Sequence, residues 1–216
     1  LCGHTTQNER FRYQLESSLP LRKQLWQQTI QSKIKNQAKI LQAQGCTADN
    51  MLVWAEKVRS GDAENLEARA AAYYWKNVFP FLDKFYRDRN GAPPNNLLNY
   101  GYAILRAIIA RALVSSGLLP TLGIHHHNRH NAYCLADDIM EPYRPYVDKL
   151  VIEIILSGED YTKLTTTVKS KLLSIPVLDV IIDGTRKPLM IAASSTTSSL
   201  AKCFEGEIRK IVYPEM

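Results

Sequence analysis

Apolar residues recur at helical spacing along most of the chain. The first stripe of this kind consists of Trp26, Ile30, Ile34, Ala38 and Leu41. Ser18 offers an N-cap in front of it and Pro20 suits a first helical turn. The spacing predicts one amphipathic helix that begins near Ser18 and ends near Gly45, with Lys33 and the neighbouring lysines and glutamines on its polar faces.

The same periodicity predicts further helices over residues 51–58, 63–74, 79–86, 95–113, 133–156, 163–173 and 198–212. Pro142 and Pro145 predict a bend within 133–156, because each proline removes a backbone donor. Two short apolar runs, 177–182 and 188–192, flank Asp183-Gly184 and predict a β-hairpin. The predicted fold class is mainly α, with one small hairpin near the C-terminus.

The domain organisation follows from length and composition. Residues 1–18 are polar and read as an irregular linker or arm, and 19–216 as one helical domain. A chain of 216 residues with 45% hydrophobic and 22% charged residues is typical of a globular protein, which excludes disordered and collagen-like classes. Arg106 and Arg111 interrupt the longest apolar stretch, so no transmembrane helix is expected. Because the first residue is not Met, residues upstream are expected to be missing or cleaved.

Net charge and cysteine content bear on the expected binding partners and cellular compartment. There are 27 basic against 21 acidic residues, a net charge of +6, which is compatible with nucleic-acid binding without establishing it. The four cysteines are scattered and form no CxxC pair. Scattered thiols are typical of reduced intracellular proteins, so we expect a cytoplasmic protein without disulfides or a signal peptide.

Four of the five histidines lie in one loop, residues 123–131. Glu141 follows His126 by fifteen residues, and Asp138 and Glu141 would share one helix face at i, i+3. An imidazole facing two carboxylates makes a plausible cation site. Its hard oxygen donors and single nitrogen suit Mn²⁺ or Mg²⁺ better than thiolate-bound zinc.

Other interpretations of this region stay open. The histidines can form a plain polar loop, and the carboxylates can cap the helix or pair with Arg144. A zinc site through His126, His130 and Cys134 has suitable spacing but lacks a second ligand pair. The His-Asp dipeptide expected of helical metal phosphohydrolases occurs nowhere in the chain.

Glu64 and Glu67 compete to supply a third carboxylate. The same-face neighbours of Glu67 are Ala63, Ala70 and Ala71, whose small size lets another helix approach. Glu67 would then either ligate a cation in a packed seam or form a buried ion pair with an arginine. Glu64 lies in the first turn of the predicted helix, where its negative charge would interact favourably with the helix dipole.

Several ordered blocks of the sequence resemble one known family. They are Ser18-Leu19-Pro20-Leu21 to Asn36-Gln37-Ala38, Glu67-Ala68-Arg69 with Tyr73-Tyr74-Trp75, Leu98-Asn99-Tyr100-Gly101-Tyr102, Leu122-Gly123-Ile124-His125-His126, and Leu135-Ala136-Asp137-Asp138-Ile139-Met140-Glu141-Pro142-Tyr143-Arg144-Pro145. Together they resemble the CRISPR-associated integrase that inserts new spacers, in its type II variety. That family joins an N-terminal β-rich dimerisation domain to a helical catalytic domain, and this chain resembles the catalytic domain alone.

The resemblance implies a metal site and a reaction. The implied catalytic and metal-holding residues are Glu67, His126 and Glu141, with Asp138 beside them and Mg²⁺ or Mn²⁺ as the cofactor. His126 is preferred over His125 because the family histidine lies three positions after the loop glycine, here Gly123. The implied chemistry is transesterification by a DNA 3′-hydroxyl, or endonuclease cleavage when water is the nucleophile.

The resemblance also implies partners. These are double-stranded DNA, a second copy of the chain through the N-terminal domain where present, a small second adaptation protein and the type II effector machinery, with no membrane. Candidate DNA-binding residues are Arg69, Arg106, Arg111, Arg129, Arg144 and the pair Arg186-Lys187. Tyr100 and Tyr102 could stack on bases, whereas Trp75 is expected in the core. The alternatives are a non-catalytic DNA-binding scaffold and a helical metal phosphohydrolase.

Overall fold

A computed structural model describes residues 6–216, which pack around two long helices, 19–43 and 95–115. The helices are α1 (Gln7–Leu15), α2 (Leu19–Ala43), α3 (Asp49–Lys57), α4 (Leu66–Asn77), α5 (Asn95–Ser115), α6 (Cys134–Ile139), α7 (Arg144–Leu156), α8 (Thr166–Leu172) and α9 (Leu189–Glu205). Strands β1 (Asp179–Ile182) and β2 (Thr185–Pro188) pair antiparallel. The predicted fold class, mainly α with one hairpin, is confirmed.

Helix α2 begins and ends where its sequence signals predict. The Ser18 hydroxyl accepts a hydrogen bond from the backbone N–H of Leu21, and Pro20 lies in the first turn. One face of the helix is buried against α3, α4, α6 and α7. The chain between α6 and α7 forms a single 3₁₀ turn, Glu141–Tyr143, so the predicted bend at the two prolines is confirmed.

Helix α5 is the one described helix with the length and mean hydropathy of a membrane span, although two arginines interrupt it. Half of that apolar window is buried inside the fold, where α5 packs on α7 and α9. Gly101 makes the contact with α7 possible, because a Cβ there would lie 2.5 Å from Cγ1 of Val147. A core helix meets the same length and hydropathy criteria, so the absence of a membrane span stays a prediction.

The irregular arm expected over residues 1–18 is wrong for much of its length. Residues Gln7–Leu15 form α1, and residues 1–5 lie outside the described part. Arg10 donates from Nε to Oε1 of Glu205 at 2.7 Å, and the amide of Gln14 donates to the carbonyl of Leu119 at 3.0 Å. These tertiary contacts stabilise a helix whose sequence lacks a strong apolar stripe. Whether 1–18 joins another domain stays a prediction.

Three other predicted boundaries are wrong. Residues 79–86 form turns instead of a helix, because Phe79 and Phe85 turn inward to pack on each other at 4.7 Å between ring centroids. The second strand is 185–188, earlier than predicted, and α9 starts directly after it. This helix ends at Glu205 because Gly206 adopts a left-handed conformation with φ +78°.

The described cysteines, Cys46, Cys134 and Cys203, are free thiols, and Cys2 lies outside the described residues.

Candidate active site

Asp138 fixes the conformation of the histidine loop. Its carboxylate is fully buried in α6 and accepts the backbone N–H of His125 at 2.9 Å and of His126 at 3.3 Å. Oδ1 also lies 2.5 Å from Nδ1 of His126. Because an ionised carboxylate only accepts, Nδ1 carries the proton. The opposite ring nitrogen, Nε2, is then left as an acceptor in the neutral imidazole.

Gly123 lets the loop turn closely over this carboxylate. A Cβ at position 123 would collide with the carbonyl oxygen of His126 and would lie 2.8 Å from Oδ2 of Asp138. A glycine is therefore required for the backbone to reach Asp138. In the sequence, Gly123 served only to locate His126 three positions later. The structure shows that Gly123 is needed for the close approach of the loop to Asp138.

Trp26 of α2 packs against the rings of His125 and His126. Its indole stacks parallel on His125 with 4.1 Å between ring centroids, and it meets the edge of His126 at 5.6 Å. Burial lowers the pKa of His125. The hydrogen bond to Asp138 raises the pKa of His126 above its usual value.

Two carboxylates from distant parts of the chain meet on one ammonium group. Nζ of Lys33 lies 2.7 Å from Oε1 of Glu67, in the first turn of α4, and 2.6 Å from Oε2 of Glu141, in the 3₁₀ turn before α7. The other oxygen of Glu141 accepts from Nε of Arg144 at 2.7 Å. Two carboxylates and two cations thus form a neutral group of four charges.

The electrostatics of this group keep the Glu141 carboxylate and the Lys33 ammonium charged. Burial alone would raise the pKa of Glu141, but Arg144 and Lys33 lower it to about 2. Burial alone would lower the pKa of Lys33, and Glu141 and Glu67 more than offset this, so that pKa lies above its usual value. Glu141 and Lys33 are therefore both ionised throughout the physiological range.

The placement of Lys33 differs from its expected polar position. Lys33 is only 8% exposed. It lies seven residues after Trp26 and three after Ile30, which puts it on the apolar face of α2 rather than on a polar one. A lysine within an apolar stripe indicates a buried ion pair. The partner of Glu67 is therefore Lys33, and the predicted arginine partner is wrong.

The predicted ligands fit a divalent cation in donor chemistry. Among residues 6–216 no three His, Cys, Asp or Glu side chains lie close enough to hold one metal ion. The zinc alternative through Cys134 is therefore not formed. Glu67 and Glu141 nevertheless already contact one cation between them, the Lys33 ammonium, and the contact between Nδ1 of His126 and Asp138 leaves Nε2 as the acceptor. Oxygen donors with one imidazole suit Mg²⁺ or Mn²⁺.

A basic basin of about 640 Å³ opens beside this group of charges. Its arginines are Arg87, Arg89, Arg106 and Arg144. Of the predicted DNA-binding residues, Arg106 and Arg144 line the basin, whereas Arg69, Arg111 and Arg129 do not. Arg87 and Arg89 were not predicted as DNA-binding residues. The one sequence feature that could have indicated them is the charged segment just before the Pro-Pro turn.

Two of the basin arginines, Arg87 and Arg144, are held in place by neighbouring side chains. Arg87 donates to Oδ1 of Asn95 at 2.9 Å and to Oδ1 of Asn99 at 2.8 Å. The guanidinium of Arg144 stacks on Tyr102 with 4.5 Å to the ring centroid. Tyr102 is buried beneath it and is therefore not free to stack on a base. Trp75 is half-buried and packs against the core, as predicted.

Asp148 is a further buried acid that the sequence analysis missed. It accepts the hydroxyl of Tyr102 at 2.5 Å and of Tyr74 at 2.8 Å. Burial raises its pKa to about 6, against the hydrogen bonds from both tyrosines. It shares a cavity of about 200 Å³ with Lys33, Glu141 and Arg144.

Comparison with known proteins gives one consistent family. The family model described as CRISPR associated protein Cas1 matches residues 3–174. The chain is 38% identical over 206 residues to a CRISPR-associated endonuclease Cas1 of Neisseria meningitidis serogroup C, covering 94% of this chain and 67% of that protein. It is 33% identical over 137 residues to a Cas1 endonuclease of Pyrobaculum aerophilum, covering 63% of this chain and 46% of that one.

Solved structures share the fold at lower identity. A casposase bound to integration product superposes with a TM-score of 0.79 at 21% identity, covering 95% of this chain and 71% of that one. The Cas6-RT-Cas1–Cas2 complex gives 0.79 at 22%, covering 100% and 28%. A Cas1 protein from Thermotoga maritima gives 0.71 at 18%, covering 95% and 70%. These likenesses concern the fold alone.

Proposed function

The chain belongs to the Cas1 family of CRISPR-associated proteins, and from that membership we propose that it is the catalytic domain of a metal-dependent DNA integrase and endonuclease. The observation that carries the proposal is the meeting of Glu67 and Glu141 on a single cation, the Lys33 ammonium, with both carboxylates acting electrostatically on His126. A non-catalytic scaffold has no need to bring two acidic side chains from distant parts of the chain together in this way.

Glu67, His126 and Glu141 would hold the metal ion, Mg²⁺ or Mn²⁺. When bound, the ion supplies Lewis-acid polarisation of the scissile phosphate and charge stabilisation of the departing 3′-oxygen. Asp138 keeps the Nδ1 proton of His126 and so presents the Nε2 lone pair to the site. The attacking group is a DNA 3′-hydroxyl, so no side chain acts as nucleophile. One phosphodiester replaces another, and no nucleotide cofactor is required.

The basic basin would grip the DNA backbone beside the carboxylates. Arg87 and Arg106 lie on its wall and Arg144 joins it to Glu141. Fixed guanidinium groups suit phosphate because they donate in a planar fork. This arrangement supports Arg106 and Arg144 among the predicted DNA contacts, and it adds Arg87. Arg69, Arg111 and Arg129 lie outside the basin, so this arrangement does not support them as DNA contacts.

The remaining assignments are proposals of the same kind. The chain spans about two thirds of the Neisseria relative, so the whole protein's substrates and partners extend beyond it. We expect spacer and repeat DNA as substrates, in the cytoplasm. We also expect a small second adaptation protein, in keeping with the complex named Cas6-RT-Cas1–Cas2. Dimerisation through an N-terminal domain and membership of a type II system belong here as well.

Resealing of a branched DNA tests the reaction directly. With Mg²⁺ or Mn²⁺ the parent should join the strands, and Glu67→Gln, His126→Ala and Glu141→Gln should each lose activity by roughly 100-fold or more. Glu64→Gln, the same change in an exposed residue three positions before Glu67, is the matched control and should keep activity. Far-ultraviolet circular dichroism checks that each variant is folded.

The alternatives predict different results in the same assay. A folded parent that binds branched DNA without resealing it, with metal present, would support the non-catalytic scaffold. Cleavage of small phosphate esters without action on DNA would support the phosphohydrolase.

A further inference from the structure

Each oxygen of Glu141 already faces a cation. Oε1 accepts a hydrogen bond from Nε of Arg144, and Oε2 lies 2.6 Å from Nζ of Lys33. A divalent cation that binds Glu141 would therefore take the place of one of these two cations. Adding it beside both would also place like charges in direct contact inside a buried site.

Of the two partners, Lys33 is the easier to displace. The Arg144 guanidinium forms a directed hydrogen bond to Glu141 and stacks on Tyr102. The Lys33 contact with Glu141 is an ion pair only, since Oε2 has no hydrogen-bond partner of acceptable geometry. Lysine also has a flexible four-carbon stem, whereas the arginine fork is fixed by its stacking.

The structure provides a place for the displaced ammonium. Lys33 lines the cavity of about 200 Å³ whose wall also carries Asp148 and Gln37. Asp148 offers an acidic partner for an ammonium that leaves Glu67 and Glu141. A rotation of the lysine stem thus exchanges two acidic partners for a third one, Asp148, within the same cavity.

We propose that Lys33 is a resident counter-ion, which holds Glu67 and Glu141 together when no metal is bound and competes with the metal ion for them. The inference rests on the proposed function only in placing a divalent cation at these two carboxylates. Lys33 is a positioning residue in this scheme. It lowers metal affinity while it holds two neighbouring acidic side chains together in the metal-free protein.

Metal titration of Lys33→Met tests the competition. By calorimetry with Mn²⁺ alone, we expect the variant to bind at least about 10-fold more tightly than the parent, the ratio that about 1.4 kcal/mol produces. Its melting temperature without metal should fall, and saturating Mn²⁺ should raise it by more than in the parent. Lys35→Met is the matched control, because it removes the same charge from an exposed position of α2. It should leave Mn²⁺ binding at the parent value.

The outcomes separate this inference from the proposed function. If Glu67→Gln weakens Mn²⁺ binding but Lys33→Met binds as the parent does or more weakly, the metal site stands and the competition is wrong. If Glu67→Gln binds Mn²⁺ as well as the parent, the proposed metal site is wrong, and the counter-ion role fails with it.

A second measurement covers a variant that fails to fold. In the parent, the ¹⁵N resonance of the Lys33 ammonium should shift when Mg²⁺ saturates the protein, because its two carboxylate partners are lost. An unchanged resonance at saturation would overturn the inference.

Discussion

Asp138→Asn separates the orientation of His126 from its presence. Asparagine has nearly the same shape as aspartate, but one oxygen becomes an NH₂ donor. The asparagine oxygen can still accept the backbone N–H of His125, which leaves the NH₂ group facing Nδ1 of His126. Two donors cannot pair, so the imidazole must move its proton to Nε2. The nitrogen that we propose as the metal ligand then becomes a donor.

The structure sets the size of both effects. The carboxylate is fully buried and accepts from two backbone N–H groups and from the ring. Loss of its charge weakens bonds to a charged group, which are worth about 1.5–3 kcal/mol each. We expect a stability loss of about 2–3 kcal/mol, or roughly 5–10 °C in melting temperature. Loss of the carboxylate behind a ligating histidine should weaken Mn²⁺ binding by about 10–100-fold.

Three measurements follow the change: ¹⁵N spectra of the imidazole for the tautomer, calorimetry for Mn²⁺ affinity, and DNA resealing for activity. Asp137→Asn is the control, because its carboxylate pairs with Arg106 and does not contact His126. It should leave the tautomer and Mn²⁺ affinity unaltered. The reasoning fails if folded Asp138→Asn keeps the proton on Nδ1, or if its Mn²⁺ affinity stays within about 3-fold of the parent, a difference below about 0.7 kcal/mol.

Three further predictions rest on separate contacts. Gly123→Ala should destabilise the protein by about 1–3 kcal/mol through overpacking and abolish resealing, and wild-type melting behaviour would contradict the close approach. The pKa of Asp148 is about 6 in the folded protein and 3.8 in the unfolded chain, so the folded state binds the proton more tightly. The free energy of unfolding should therefore decrease by roughly 3 kcal/mol as the pH rises from about 4 to 6. Urea unfolding of Asp148→Asn should show this fall removed, and an identical pH profile would refute it. Arg87→Ala should reduce the slope of log K for DNA binding against log salt concentration by about 1, measured by fluorescence anisotropy, whereas Arg111→Ala should leave it unchanged. Equal slopes for the two variants would show that the basin does not contact DNA.

Local signals predicted the parts of the fold that local physics determines. Helix α2 has a cap, a first-turn proline and a continuous apolar stripe, and its ends agree with the prediction to within about two residues. Helix α1 has none of these features. It forms because Arg10 and Gln14 find partners more than a hundred residues away, and no pattern within residues 1–18 indicates those partners.

The candidate site divides in the same way. Residue type and spacing indicated Glu67, His126 and Glu141, although their roles stay predictions. The placement of Lys33 between the two carboxylates could have been suspected from its position in an apolar stripe, but its partners come from helices that only the tertiary fold brings together. Asp148 carried no sequence signal, because an acid in a helix is ordinarily exposed.

The stacking of Trp26 on His125 gives the site an optical reporter of its own. The indole touches both histidine rings of the loop, whereas Trp54 packs against Tyr73, and Trp75 lines the cavity that Lys33 shares with Glu141. Imidazole quenches indole emission at contact distance, more strongly when it is protonated. A rearrangement of the loop would therefore change the emission of Trp26. Cation loading and loop ordering can be followed in the unlabelled protein, in real time, by its intrinsic fluorescence.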